Sequence, residues 1–188
     1  MNFKRLSISD VILIEPQKHK DKRGYFLETY RQDELNNFLK KKINFCQENK
    51  SFSHKNVFRG LHYQIPPFSQ SKLISVSKGE IMDIVVDIRK NSPTYGKCLT
   101  IILDDNTNNE LFIPRGFAHG FFVKSEFAVV SYKVDNFYSK KSEKIINIKD
   151  SNLNLNLDFS QFIISEKDSN SNNLNDVMYF DYNINYYD

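Results

Sequence analysis

Between residue 43 and about residue 148 the chain is broken into short apolar runs by clusters of turn-forming residues. That punctuation restricts the fold more than any other feature. "KLISVSKGEIMDIVVDIRKNSPTYGKCLTIIL" holds several such runs, joined at "SKGE" and "KNSPTYG". "DDNTNN" separates "CLTIIL" from "ELFIP", and "FAVVSYKV" follows "KSE". Runs of this length, rich in β-branched and aromatic residues, form strands. Many short strands at regular spacing with little helix predict a β-sandwich or barrel. In "MDIVVDI" the two-residue period puts Ile84, Val86 and Ile88 on one face, with Asp83, Val85, Asp87 and Arg89 on the other.

The ends read differently. "DVILIEP" is a buried-strand pattern stopped by Pro16, and "RGYFLETY" predicts a strand from about Gly24 after the charged turn "HKDKRG". "DELNNFLKKK" is the clearest helix. Leu35, Phe38 and Leu39 make one stripe, with Asp33 and Glu34 at its start and Lys40 to Lys42 at its end, where they suit the helix dipole. "DSNLNLNLDFSQ" alternates like an edge strand, "SEKDSNSNNLND" reads as a loop, and the aromatic-rich "VMYFDYNINYYD" stays unplaced. The 188 residues fit one domain, 1–188.

Charge and sorting signals narrow the classes. A net charge of +3, spread over lysines that alternate with acids, gives no basic stripe for nucleic acid. The N-terminus has no apolar signal region, and no run is long enough to cross a membrane as a helix. The two cysteines, Cys46 and Cys98, lack metal or redox spacing. A reducing cytoplasm is the expected compartment.

Only four histidines occur, and two sit inside strand-like runs. In "NVFRGLHYQ", His62 shares a strand face with Gln64, and Arg59 lies three residues earlier. A lone histidine in a strand is ordinarily a packed residue with one hydrogen bond. Several polar groups on one interior face instead describe a pocket. His119 lies in "FIPRGFAHGFF", again among aromatics. A metal would need further convergent ligands, and the chain has no His-x-His pair, so no metal and no cofactor is expected. Tyr132 in "VVSYKVDNFY" can act as a general acid if negative charge develops beside it. Lys72 in "SQSKLISV" can stabilise an oxyanion at a barrel mouth.

"RGYFLETY", "NVFRGLHYQ", "GEIMDIVVDIRKNSPTYGK" and "IPRGFAHGF", in this order and spacing, resemble the dTDP-4-dehydrorhamnose 3,5-epimerase family. The resemblance is expected to cover residues up to about 168 and to leave 169–188 as a tail outside it. It implies a mainly all-β, cupin-type jelly roll with a short N-terminal helix and a C-terminal extension. It also implies a metal-independent homodimer with shared active-site elements, acting on a dTDP-linked 4-keto-6-deoxy sugar in rhamnose or related polysaccharide biosynthesis. His62 matches the base, Asp168 of "SEKD" its carboxylate partner, Tyr132 the opposing acid and Lys72 the cation at the enolate oxygen. His119 matches a contact beside the sugar. Arg23, Phe26, Glu28, Gln47, Glu48, Asn49, Arg59, Tyr138, Glu143 and Lys167 match further substrate contacts, with Tyr138 stacking on the base. In the family the N-terminal segment reaches the partner's site, so Arg23 and Glu28 are expected to act across the interface. The family's tryptophan before the aspartate block is missing, since the chain has none. A mono-epimerase, an enzyme for another nucleotide sugar such as a GDP-4-keto heptose, a cupin 3,4-ketoisomerase and a non-catalytic sugar-nucleotide-binding cupin stay open as alternatives.

Overall fold

The computed structural model describes residues 1–177 and 179–187; Met178 and Asp188 lie outside the described residues. The strands are β1 (Asn2–Arg5), β2 (Ile12–Glu15), β3 (Lys18–Asp21), β4 (Gly24–Leu27), β5 (Gln47–His54), β6 (Val57–Gln64) and β7 (Lys72–Lys78). They continue as β8 (Glu80–Asp87), β9 (Cys98–Asp104), β10 (Glu110–Ile113), β11 (Phe117–Val123), β12 (Phe127–Val134), β13 (Glu143–Ile145) and β14 (Ile163–Ile164). The described residues also form the α-helices α1 (Gln32–Leu39) and α2 (Glu166–Ser169).

Two six-stranded sheets face each other in a jelly roll. The first runs β1-β2-β10-β7-β12-β5; the second runs β13-β6-β11-β8-β9, with β14 parallel against β6. Ile74, Val76, Val85, Leu111, Phe121 and Val130 pack between the sheets. Each sheet is also covered on its outer face. Leu35 of α1 joins Ile12, Ile14, Ile43, Leu73 and Phe112 behind the first sheet. Behind the second, Ile84, Val86 and Ile88 meet Leu153, Leu174, Val177 and Phe180 from the C-terminal segment. Sheets buried on both faces need apolar residues at successive positions, which is why Ile84, Val85 and Val86 follow one another in "DIVVDI". Both of its aspartates are fully buried rather than solvated. Asp87 is held by Arg89, Ser92 and Thr94, so it fixes the "KNSPTYG" turn. Burial pushes its carboxyl up, but those hydrogen bonds outweigh it and hold the group below the usual range.

Several segments depart from the sequence reading. The charged turn shortens to Lys22 and Arg23, because Lys18–Asp21 pair with Gly24–Leu27 as a hairpin. α1 stops at Leu39; Lys40 takes a left-handed conformation (φ 52°), so the lysines follow the last turn instead of occupying it. "DSNLNLNLDFSQ" is not a strand. Asp150 and Asp158 cap short 3₁₀ turns at Ser151–Leu153 and Phe159–Gln161, which competes with ladder pairing. "SEKDSNSNNLND" contains α2, capped by the Ser165 hydroxyl, which accepts from the Asp168 amide at 3.1 Å. The described part of "VMYFDYNINYYD" packs into the fold through Phe180, which meets Tyr63, and through Tyr187, which meets Ser71. Among the described residues, no helix is long and apolar enough to cross a membrane.

Candidate active site

β6 and β11 are neighbours in the second sheet, and His62 lies opposite His119. The two strands come very close just beside that pair. A Cβ on Gly120 would stand 2.7 Å from the Arg59 carbonyl oxygen and 3.0 Å from the Gly60 Cα. Glycine at both 60 and 120 therefore lets the backbones touch, which no side chain would permit.

A cavity of about 340 Å³ opens at this end of the sandwich. The second sheet supplies Arg59, His62, Gln64, His119, Phe121 and Glu143 to its wall. The first sheet supplies Gln47, Asn49, Ser51, Lys72 and Tyr132, and Tyr138 closes it from the loop after β12. Titratable groups from both sheets thus converge on one space, the arrangement that acid–base chemistry on two sides of a ring requires.

Behind His62 stands Asp168, 106 residues on in sequence and 5% exposed. Its Oδ1 lies 2.8 Å from His62 Nε2, and its Oδ2 accepts from the Gly60 amide at 3.2 Å. Burial raises the Asp168 carboxyl, but the His62 hydrogen bond and charge and the Gly60 amide together bring it below the usual carboxylate range. A carboxylate so placed fixes the ring and stabilises its protonated form. Nδ1 is left as the His62 nitrogen with no protein partner among the described residues.

Across β11, His119 Nε2 lies 2.8 Å from Asp83 Oδ2. Burial pushes the His119 ring below its ordinary value against the pull of Asp83, with the Lys72 and His62 charges acting in the same direction as burial. Lys72 is buried and donates to the His62 carbonyl at 3.1 Å. Burial brings its ammonium down to about 8, opposed by the Asp83 and Glu143 carboxylates. At neutral pH it is still mostly charged, and little water screens that charge. The Tyr132 phenol is raised by burial first and by Glu143 second, so it keeps its proton at neutral pH.

Tyr138 projects over the mouth. Its hydroxyl donates to Glu143 Oε2 at 2.9 Å, and Lys167 donates to the same oxygen at 2.6 Å. Burial raises Glu143, yet these two donors hold it below its ordinary value. Gln47 accepts from the Tyr138 amide and donates to Asn49. Arg59 is steadied by Ser53, which accepts from its Nε at 2.9 Å.

Six of the sequence candidates do not line this cavity: Asp168 and Lys167 stand behind it on His62 and Glu143, and four lie away from it. Glu48 points to the outer face of β5, paired with Lys133 at 2.9 Å, because strand side chains alternate and its neighbours Gln47 and Asn49 face inward. Arg23, Phe26 and Glu28 belong to or follow the β3–β4 hairpin, which among the described residues pairs with no other strand. Arg23 is held by Asp21 at 2.6 Å, Phe26 is 72% exposed, and Glu28 is exposed. A separate depression of about 550 Å³ lies along this hairpin.

The sequence assigns no role to Asp83, and places Gln64 on the pocket face with His62 without giving it one. The signal for Asp83 was a carboxylate inside an apolar strand, which cannot be buried without a partner. Among the described residues its Oδ1 has none, so one oxygen beside Lys72 and His119 stays open. Also among the described residues, no group of three or more His, Cys, Asp or Glu is placed to hold a metal ion.

Comparison with known proteins agrees with the geometry. The profile of the dTDP-4-dehydrorhamnose 3,5-epimerase family matches residues 5–176, past the limit of 168 expected from the sequence. The dTDP-4-dehydrorhamnose 3,5-epimerase of Shigella flexneri is 42% identical over 180 residues, covering 96% of this chain and 99% of its own. The crystal structure of the Legionella pneumophila dTDP-6-deoxy-D-glucose-3,5-epimerase, in complex with dTDP-4-keto-L-rhamnose, superposes with a TM-score of 0.92. It is 36% identical and covers 97% of this chain and 99% of that one. A 3'-monoepimerase of Streptomyces bikiniensis, in complex with dTDP-quinovose, gives a TM-score of 0.85 at 27% identity, covering 90% of this chain and 86% of that one. A cupin-type jelly roll, a cavity with acid–base groups on both walls and near-full-length similarity converge: the chain belongs to the dTDP-4-dehydrorhamnose 3,5-epimerase family.

Proposed function

We propose that the protein inverts C3 and C5 of dTDP-4-dehydro-6-deoxy-D-glucose to give dTDP-4-dehydro-L-rhamnose. The observation that carries this reading is His62, backed by Asp168 at 2.8 Å, on the wall of a cavity that Lys72 and Tyr132 also line. The C4 ketone of such a sugar acidifies the hydrogens on C3 and C5. His62 removes one as a proton, and the electron pair moves onto the C4 oxygen as an enolate. The Lys72 ammonium stabilises that oxygen in a site with little screening. Tyr132 returns a proton to the opposite face of the carbon, which inverts it. Its phenol suits this step because burial keeps it protonated. No atom is gained or lost, so no co-reactant is needed. His119 is assigned to the sugar, and Arg59 to the diphosphate through its forked guanidinium. Gln47, Asn49, Tyr138, Glu143 and Lys167 are assigned to the nucleoside end.

The remaining assignments concern a second subunit. Arg23 and Phe26 stand on a hairpin with no further strand partner among the described residues, and Glu28 directly follows it. This supports a homodimer in which the three residues complete the partner's nucleotide site. Glu48, on the outer face of β5, does not reach the cavity of its own chain.

The test is incubation with dTDP-4-keto-6-deoxy-D-glucose in D₂O, followed by NMR of the ring protons. Deuterium at both C3 and C5 is the expected result. Deuterium at one carbon instead identifies a mono-epimerase, a reading favoured by the same fold in the Streptomyces bikiniensis 3'-monoepimerase. No exchange in any 4-keto nucleotide sugar would sink the enzymatic assignment.

A further inference from the structure

Gln64 is the last residue of β6, on the same strand as His62, and is 4% exposed. Both hydrogens of its side-chain amide are committed. Nε2 donates to the Phe68 carbonyl at 2.7 Å and to the Phe137 carbonyl at 3.2 Å. Its Oε1 accepts from the Ser139 amide at 2.6 Å. Two carbonyls on one side and an N–H on the other settle which way the amide is turned. With its donors occupied by the protein, this side chain has no N–H left for a substrate, although it lines the cavity.

The two partners in the loop after β12 are residues 137 and 139, immediately before and after Tyr138. The Tyr138 amide itself donates to Gln47 Oε1 at 3.0 Å. The backbone of Tyr138 is therefore gripped on both sides by Gln64 and at its own nitrogen by Gln47. The same grip continues into the following turn. Ser139 accepts from the Ser142 and Glu143 amides through its carbonyl, and Glu143 is the residue that receives the Tyr138 hydroxyl. Through Phe68, Gln64 also ties this loop to the one that leads into Lys72. Gln70 and Asn136 lace the same two loops, donating to the Asn136 and Pro67 carbonyls.

We infer that Gln64 is a positioning residue for nucleotide recognition: it holds the Tyr138 ring in place over the site so that the base of the dTDP moiety meets a preformed stacking surface. This rests on the assignment of Tyr138 to the nucleoside. An exposed aromatic ring on an unrestrained loop would have to be ordered at binding, at the expense of affinity. Gln64 does that ordering in the free protein.

The experiment is a double-mutant cycle between Gln64→Met and Tyr138→Ala, read by calorimetric dTDP affinity and by steady-state kinetics on the dTDP-4-keto sugar. Gln64→Met is expected to weaken dTDP about tenfold and to place the loss on KM, not kcat, while the double variant binds as Tyr138→Ala alone. Should the Met variant not fold, Gln64→Glu keeps an acceptor for the Ser139 amide, loses the donors and is expected to weaken dTDP in the same cycle. Unchanged dTDP affinity in the Gln64 variant overturns the inference, and so does strict additivity with Tyr138→Ala. Wild-type affinity in Tyr138→Ala overturns it too, and identifies the base-stacking assignment as the part at fault.

Discussion

Lys72 enters the cavity at the first position of β7, buried, with an ammonium that titrates near 8. The role proposed for it depends on that charge, so the turnover rate at saturating substrate is expected to fall as pH rises through about 8. Lys72→Arg, whose guanidinium stays charged, should lower the maximum rate and remove that alkaline limb; an unchanged limb in the Arg variant would exclude Lys72 as its source. His62→Ala is expected to cut deuterium exchange at both carbons by roughly 10²–10⁴-fold, the usual worth of a general base. Tyr132→Phe should leave some exchange but lose the inverted product, which NMR of the reaction mixture reads directly. Full inversion by that variant would refute the acid role. At this scale the sequence was informative where a residue's type is rare in its setting. His62 and His119 stood out as histidines in strands. The roles of Asp83 and Gln64 did not, because a polar residue in an alternating run shows its face but not its partner.

At the scale of elements, the contact of β6 with β11 is the tightest constraint near the site. Gly120→Ala places a methyl 2.7 Å from the Arg59 oxygen, so it should cost about 1–3 kcal/mol in urea denaturation and displace His119 from His62. Unaltered stability would mean that the strands can part without strain. β10 carries a second testable feature on the outer face of the first sheet. Glu110 is 5% exposed, and its Oε2 lacks a partner among the described residues. Burial raises its carboxyl to about 8, with Glu48 acting in the same direction and Lys133 against it. A folded pKa above the unfolded one means that its contribution is full below about 4.5 and is lost as pH rises through about 8. The melting temperature of the wild type should therefore fall over that interval relative to Glu110→Gln, which has no proton to lose. Parallel pH dependence in the two proteins would contradict this. Element boundaries were legible where pattern and turn chemistry agreed, as from β7 to β12. They were not legible after Ile148, where Asn and Asp side chains cap 3₁₀ turns inside what looks like strand alternation.

For the whole molecule, the central question is whether one chain holds a complete site. The β3–β4 hairpin bears Arg23 away from the cavity of its own chain. If it completes the partner's site, mixing His62→Ala with Arg23→Ala should regenerate about a quarter of wild-type activity, because half the dimers are mixed and each has one intact site. Activity no higher than the sum of the two separate variants would show that the hairpin serves its own subunit. The C-terminal segment belongs to the same scale. Tyr187 hydrogen-bonds Ser71, next to Lys72, and the Arg115 amide, and Arg115 also pairs with Asp135. Phe180 packs behind Tyr63, next to His62. Residues read from the sequence as an appended tail thus cover the back of the site.

The sequence alone determined the class of fold and supplied the candidates for the chemistry-bearing groups. Strand periodicity and turn residues are local properties, and four motif blocks in register carry a family's signature. What only the tertiary structure decided were the long-range partnerships. Asp168 meets His62 across 106 residues, Asp83 meets His119 across the β8–β11 ladder, and Gln64 grips both neighbours of Tyr138 from 73 and 75 residues away. Such pairings depend on which strands become neighbours when two sheets close. Closure is driven by burying apolar faces, and the pattern of those faces does not say which polar group will lie beside which.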